Sequence, residues 1–144
     1  MTRKETLAYI TGLVDGEGYI GIKKDLAKNR GINPVYYERI SVAGTNKDMV
    51  NLFLNFFDCG NIYLHKHSKL SKQEYWSWET SNLKAVYVIK QIYPYLLIKK
   101  PEADLVLALS KNKQKKYGTL PKEIIEYREK LYQAIKTLHT FIPL

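Results

Sequence analysis

Three features of the sequence predict an α+β domain in the order α-β-β-α-β-β-α, with a curved antiparallel four-stranded sheet and helices on one face. The period of the apolar residues switches between a helical repeat and strict alternation at identifiable points. Glycines and prolines punctuate those points. In the alternating segments one face is apolar and the other carries Tyr, Lys, Arg, Ser and His, the pattern of a sheet covered on a single side.

The first helix spans 4–15, with Leu7, Ile10 and Val14 on one stripe and Ala8 with Gly12 on another. Gly16 and Gly18 end it, and from Tyr19 the period becomes two, with Ile20 and Ile22 on one face. A polar connection, "DLAKNRGINP", leads to the strand "VYYERISVAG", in which Ile40 and Val42 alternate with Tyr37, Arg39 and Ser41. In "TNKDMVNLFLNFFDCG", Thr45 or Asn46 caps a helix, Asp48 suits its first turn, and Gly60 closes it. "NIYLHKH" and "EYWSWETS" are the third and fourth strands, with Ile62, Leu64, Trp76 and Trp78 apolar. A helix over 83–93 stops at Pro94, another starts near Pro101, "KNKQKKYG" is a basic loop, and a last helix runs from Pro121 to about His139.

The chain has 144 residues, with no composition shift or internal repeat, and is expected to form one domain over 1–144. No apolar run reaches membrane-spanning length and no signal peptide opens the chain, so no membrane partner is expected. Cys59 stands alone, which excludes an intrachain disulfide framework and suits an intracellular, reducing compartment. Abundant Tyr, Lys, Ile and Asn suggest an AT-rich coding genome, that of an organelle (mitochondrion or chloroplast) or a phage in a bacterial cytoplasm. The net charge of +9 is tolerated best when the partner is a polyanion, with a solubilising lysine surface as the competing account.

Alternation alone nominates a nucleic-acid face. If the apolar strand residues meet the helices, the outward set is Tyr19, Lys23, Tyr37, Arg39, Ser41, Tyr63, His65, His67, Tyr75 and Ser77. These are donors, acceptors and flat rings, suited to base edges in a DNA major groove. Arg39 suits a guanine edge, while the lysines of 111–116 suit phosphates. His65 and His67 share a strand face but lack a third metal ligand at a recognisable spacing.

The stretch "ITGLVDGEG", residues 10–18, raises an electrostatic problem: Asp15 and Glu17 stand at a helix C-terminus, where the macrodipole is already negative. This stretch resembles the motif that names the LAGLIDADG homing endonucleases, and "PYLLIKKPEADLVL", 94–107, resembles a second part of that family's core. Two departures stand out. Thr11 replaces the motif's alanine, and Gly44 or its neighbours end the second strand where several relatives carry a glutamine, which leaves the water-positioning side chain unassigned.

The resemblance implies a site-specific double-stranded DNA endonuclease. It would cut a long pseudo-palindromic target by metal-dependent phosphodiester hydrolysis and leave 3′ overhangs. A single motif implies a homodimer, joined through the small-residue stripe Ala8, Gly12 and Gly16; without the family, intramolecular packing of that stripe is the simpler account. Pairing would bring two Glu17 carboxylates together, a repulsion that divalent cations resolve. Glu17 and the Gly16 carbonyl are accordingly expected to bind Mg²⁺, with Ca²⁺ or Mn²⁺ as substitutes, at the scissile phosphates. Asp15 is expected to hold the helix end by hydrogen bonds. Lys99 stands where relatives place a basic residue near the cleavage pocket, with Lys100 beside it and an ordinary surface lysine as the competing account. Two rivals keep the fold without the nuclease chemistry: an intron maturase and a non-cleaving DNA-binding protein. A third reading makes "DGEG" an ordinary turn in an unrelated basic protein.

Overall fold

The computed structural model describes residues 1–26, 33–66 and 73–140. They form α1 (Arg3–Glu17), β1 (Gly18–Asp25), β2 (Val35–Gly44), α2 (Lys47–Phe57), β3 (Asn61–His65), β4 (Tyr75–Ser81), α3 (Asn82–Ile92), a short turn (Tyr93–Tyr95), α4 (Lys100–Lys113) and α5 (Lys122–Thr140). The expected α+β order is found. The sheet order is β1-β2-β4-β3, with every neighbouring pair antiparallel.

Local chemistry sets the helix ends. Thr2 and Glu5 form a capping box that satisfies two otherwise unpaired N–H groups of α1. Asn46, not Thr45, caps α2, its side chain accepting the Asp48 N–H at 2.8 Å. That helix closes at Asp58, in the left-handed conformation with φ 55°, and not at the expected Gly60. Short polar side chains tolerate that conformation. Gly60 serves a different purpose: at φ +94°, it passes so close to the Trp78 ring that a Cβ would lie 2.5 Å from Nε1. The ring nitrogen donates to the Cys59 carbonyl at 2.9 Å, which fixes the indole under this turn.

The core lies between the sheet and the helices. Ile20, Ile22, Ile40, Val42 and Trp78 are buried on one sheet face, against Val14 of α1, Phe53 of α2, Ile89 of α3 and Leu109 of α4. Full burial of such a side chain is worth about 1.5–3 kcal/mol. Leu64 departs from expectation, since it is 45% exposed on the edge strand β3, which has a neighbour on one side only. Two ion pairs fasten the helical layer. Glu38, 2% exposed, takes the Lys113 ammonium at 2.7 Å. Glu129 of α5 accepts from Lys24 and from the Tyr36 hydroxyl, each at 2.5 Å. The Glu38 contact also explains why α4 continues through Lys113, where a basic loop was expected.

Candidate active site and nucleic-acid face

The two acids of the motif occupy different environments. Asp15 is buried, and its carboxylate accepts the backbone N–H groups of Leu97 (2.8 Å), Ile98 (3.2 Å) and Lys99 (3.0 Å). Those groups lead into the N-terminus of α4, the positive end of a helix dipole. Pro101 in the first turn of α4 brings no N–H of its own. The cross-link is reciprocal, because Lys99 Nζ donates to the Asp15 main-chain carbonyl at 2.8 Å and so covers the negative end of α1. The positive partner of Asp15 is therefore inside the chain, and the expectation that it holds the helix end is realised.

Glu17 has no such partner. It is exposed at the last position of α1, with no basic residue in that turn and no hydrogen bond or ion pair to it among the described residues. Gly16 beside it is also exposed. Lys99, half-buried, is held one residue away from Gly16 through the Asp15 carbonyl. Free carboxylate, main-chain carbonyl and ammonium thus gather at one helix end.

Those oxygens suit a hard cation such as Mg²⁺, which is often held by one or two carboxylates and keeps several waters. Among the described residues, no three His, Cys, Asp or Glu come together as a metal cage. The stripe leading to this helix end is also open: Ala8, Gly12 and Gly16 are exposed, and a Cβ added at either glycine would meet nothing within 4 Å. Intramolecular packing of the stripe is excluded within the described residues.

Among the described residues, the register places the nominated strand residues on the sheet face opposite the core, with the Tyr19 ring also 5.0 Å from that of His139 at the end of α5. Tyr19, Ser41, Glu79 and Asn61 form one row across the sheet; Gly21, Arg39 and Ser81 form the next. Lys23 pairs with Tyr37, Ser77 with Tyr63, and Tyr75 with His65. Tyr19 lies along the face over Gly21, where a Cβ would run into its hydroxyl, and Lys23 Nζ sits 4.7 Å above its ring. Burial pushes the Tyr19 hydroxyl pKa up, while the Arg39 guanidinium pulls it the other way.

His65 stacks on Tyr75 at 4.4 Å and shares a 2.9 Å hydrogen bond with Ser77, which is buried beneath its neighbours. His67 lies outside the described residues. Two findings change the expected face. Arg39 is ion-paired with Glu79 at 2.5 Å, so an acid stands at the middle of the set. Alternation with Tyr75 and Ser77 would have placed Glu79 there. Among the basic residues of 111–116, Lys113 turns inward to Glu38, while Lys111, Lys115 and Lys116 are exposed.

The exposed acid at the end of α1 thus accompanies an open, polar sheet face. The chain belongs to the LAGLIDADG endonuclease family, whose model matches residues 10–124. No curated protein matches the sequence. Among solved structures, the homing endonuclease I-CvuI, in complex with the I-CreI target in Mg with its DNA not cleaved, is similar with a TM-score of 0.80 and 15% identity. That match covers 99% of this chain and 87% of I-CvuI. I-SmaMI bound to cleaved DNA gives a TM-score of 0.73 at 13% identity, over 90% of this chain and 43% of I-SmaMI. The intron-encoded I-CeuI complexed with DNA gives 0.63 at 18%, over 76% and 56% of the two chains. At these identities the likeness establishes the fold. No helix among the described residues is long and apolar enough to cross a membrane.

Proposed function

We propose that this protein is a homodimeric, Mg²⁺-dependent homing endonuclease that cuts both strands of a long pseudo-palindromic DNA site and leaves 3′ overhangs. The observation that carries the reading is the contrast at the end of α1. Asp15 is fully engaged within the chain, whereas Glu17 is exposed and unpaired at the tip of an open small-residue stripe. Small residues let two such helices approach closely under a two-fold axis. A match that covers 90% of this chain but 43% of I-SmaMI's length supports a chain that supplies one half of a larger DNA-binding unit.

In this arrangement Glu17 and the Gly16 carbonyl of each protomer hold the metal. When bound, Mg²⁺ supplies polarisation of the phosphoryl oxygen and a water acidic enough to attack at neutral pH. Asp15 keeps α1 and α4 in register so that Glu17 stands clear of the protein. Lys99, anchored at the Asp15 carbonyl, has N–H donors left to stabilise charge on the phosphate. The sheet face enters the major groove, with Tyr19, Lys23, Tyr37, Arg39, Ser41, Tyr63, His65 and Tyr75 toward base edges and the exposed lysines toward phosphates, while Ser77, buried, serves instead to hold the His65 ring.

Incubation with a randomised duplex library and Mg²⁺, followed by recovery of cut ends, tests the proposal. Enrichment of one near-palindromic sequence with matched 3′ extensions is the expected result. Selective binding without cut ends would leave a binding protein on the nuclease fold.

A further inference from the structure

The Arg39–Glu79 pair raises a question that its contribution to stability does not answer. Both side chains are about one-quarter exposed, at 26% and 25%, and exposed ion pairs of this kind stabilise a fold little. On a face meant for a polyanion, an acid weakens binding to every sequence alike. Glu79 also lies at the centre, flanked in its row by Ser41 and Asn61, and not at a rim where it would point away from DNA.

The contact is single-pointed, from Arg39 Nη2 to one carboxylate oxygen, Glu79 Oε2. A guanidinium carries five N–H donors on a planar fork. Whichever Nη2 hydrogen serves Glu79, one two-donor edge remains for a bidentate contact. The second Glu79 oxygen has no hydrogen-bond partner among the described residues and retains its acceptor capacity. In the major groove a G·C pair presents the guanine O6 and N7 acceptors next to the cytosine N4 donor. Adjacent positive and negative groups match that pattern, and only one orientation of the pair fits.

Resting on the DNA-reading function above, we infer that Arg39 and Glu79 jointly read one G·C base pair per half-site. Arg39 contacts guanine, and Glu79 accepts from cytosine N4 while fixing the guanidinium in place. Glu79 is thus a specificity-determining residue, and the sheet direction from β2 to β4 sets which strand carries the guanine.

The test is equilibrium binding of the intact protein to a randomised duplex library in Ca²⁺, for wild type, Glu79→Gln, Arg39→Ala and the double variant. Unfolding midpoints confirm that each variant folds. The wild type should prefer G·C at one position per half-site by roughly ten- to a hundredfold. Glu79→Gln should lose most of that preference while leaving the other positions intact, and the double variant should lose no more than Arg39→Ala alone. An unchanged profile for Glu79→Gln, or an equal shift for all sequences, would overturn the assignment and reduce Glu79 to a general charge. A wild type with no sequence preference anywhere would instead bring down the DNA-reading function, and this inference with it.

Discussion

Replacing Asp15 by Asn tests the division of labour at the end of α1. The side chain keeps its shape and one carbonyl oxygen but loses the charge that three backbone N–H groups address. Hydrogen bonds to a charged group are worth about 1.5–3 kcal/mol, and the carboxylate's place ahead of the α4 N-terminus adds about 0.5 kcal/mol. The Asn amide also turns donors toward donors. Asp15→Asn should therefore cost about 2–3 kcal/mol, or about 6–12 °C in Tm for a chain of this size. Glu17→Gln removes an acid from a helix C-terminus where nothing pairs with it, so its effect should stay within about 0.5 kcal/mol and tend toward stabilisation. Thermal and urea unfolding followed by circular dichroism, at one protomer concentration, measures both. Equal stability for Asp15→Asn and wild type, or an equal loss in the two variants, would refute the assignment of Asp15 as the structural carboxylate.

Further outcomes follow from the same structure. Gly12→Leu places a side chain in open space within the protomer, so the isolated fold should keep its stability, while sedimentation should show loss of the dimer. Burial would raise the Glu129 carboxyl pKa, but hydrogen bonds from Lys24, Tyr36 and Gln133 outweigh it and hold the group down to about 2. The unfolded chain therefore takes up that proton first. The stabilisation is complete above about pH 4.5 and fades as pH falls toward 2, and Glu129→Gln should flatten this part of the stability–pH curve. Solvent at this half-exposed group limits the difference to about 1–2 kcal/mol. Lys113→Met should cost about 3–5 kcal/mol in chemical unfolding, because it leaves the Glu38 carboxylate buried without its cation.

The sequence carried the element order and the face assignment because both follow from periodicity. Ile20, Ile40 and Trp78 point inward as alternation requires. It also carried Glu17, through a motif. Pairings between distant elements left no such trace. The contact of Asp15 with residues 97–99 joins positions more than 80 apart, and nothing in "IKKPE" alone announces it. Lys113 looked like any lysine of a basic run until the fold set Glu38 opposite it. Glu79 was legible from alternation, yet a carboxylate on a DNA-facing strand conflicts with simple charge matching, and the ion pair that resolves the conflict is tertiary. Asp58 ends α2 in the left-handed conformation, and Gly60 two residues on is required by the Trp78 ring, a tertiary contact that the sequence pattern does not show.

The most direct measurement compares wild type with Glu17→Gln on the duplex recovered from the cleavage selection, scoring cutting in Mg²⁺ and binding in Ca²⁺ separately. A carboxylate that serves only the chemistry predicts that cutting disappears while half-maximal binding changes by less than a few fold. Persistent cutting by Glu17→Gln would contradict the account.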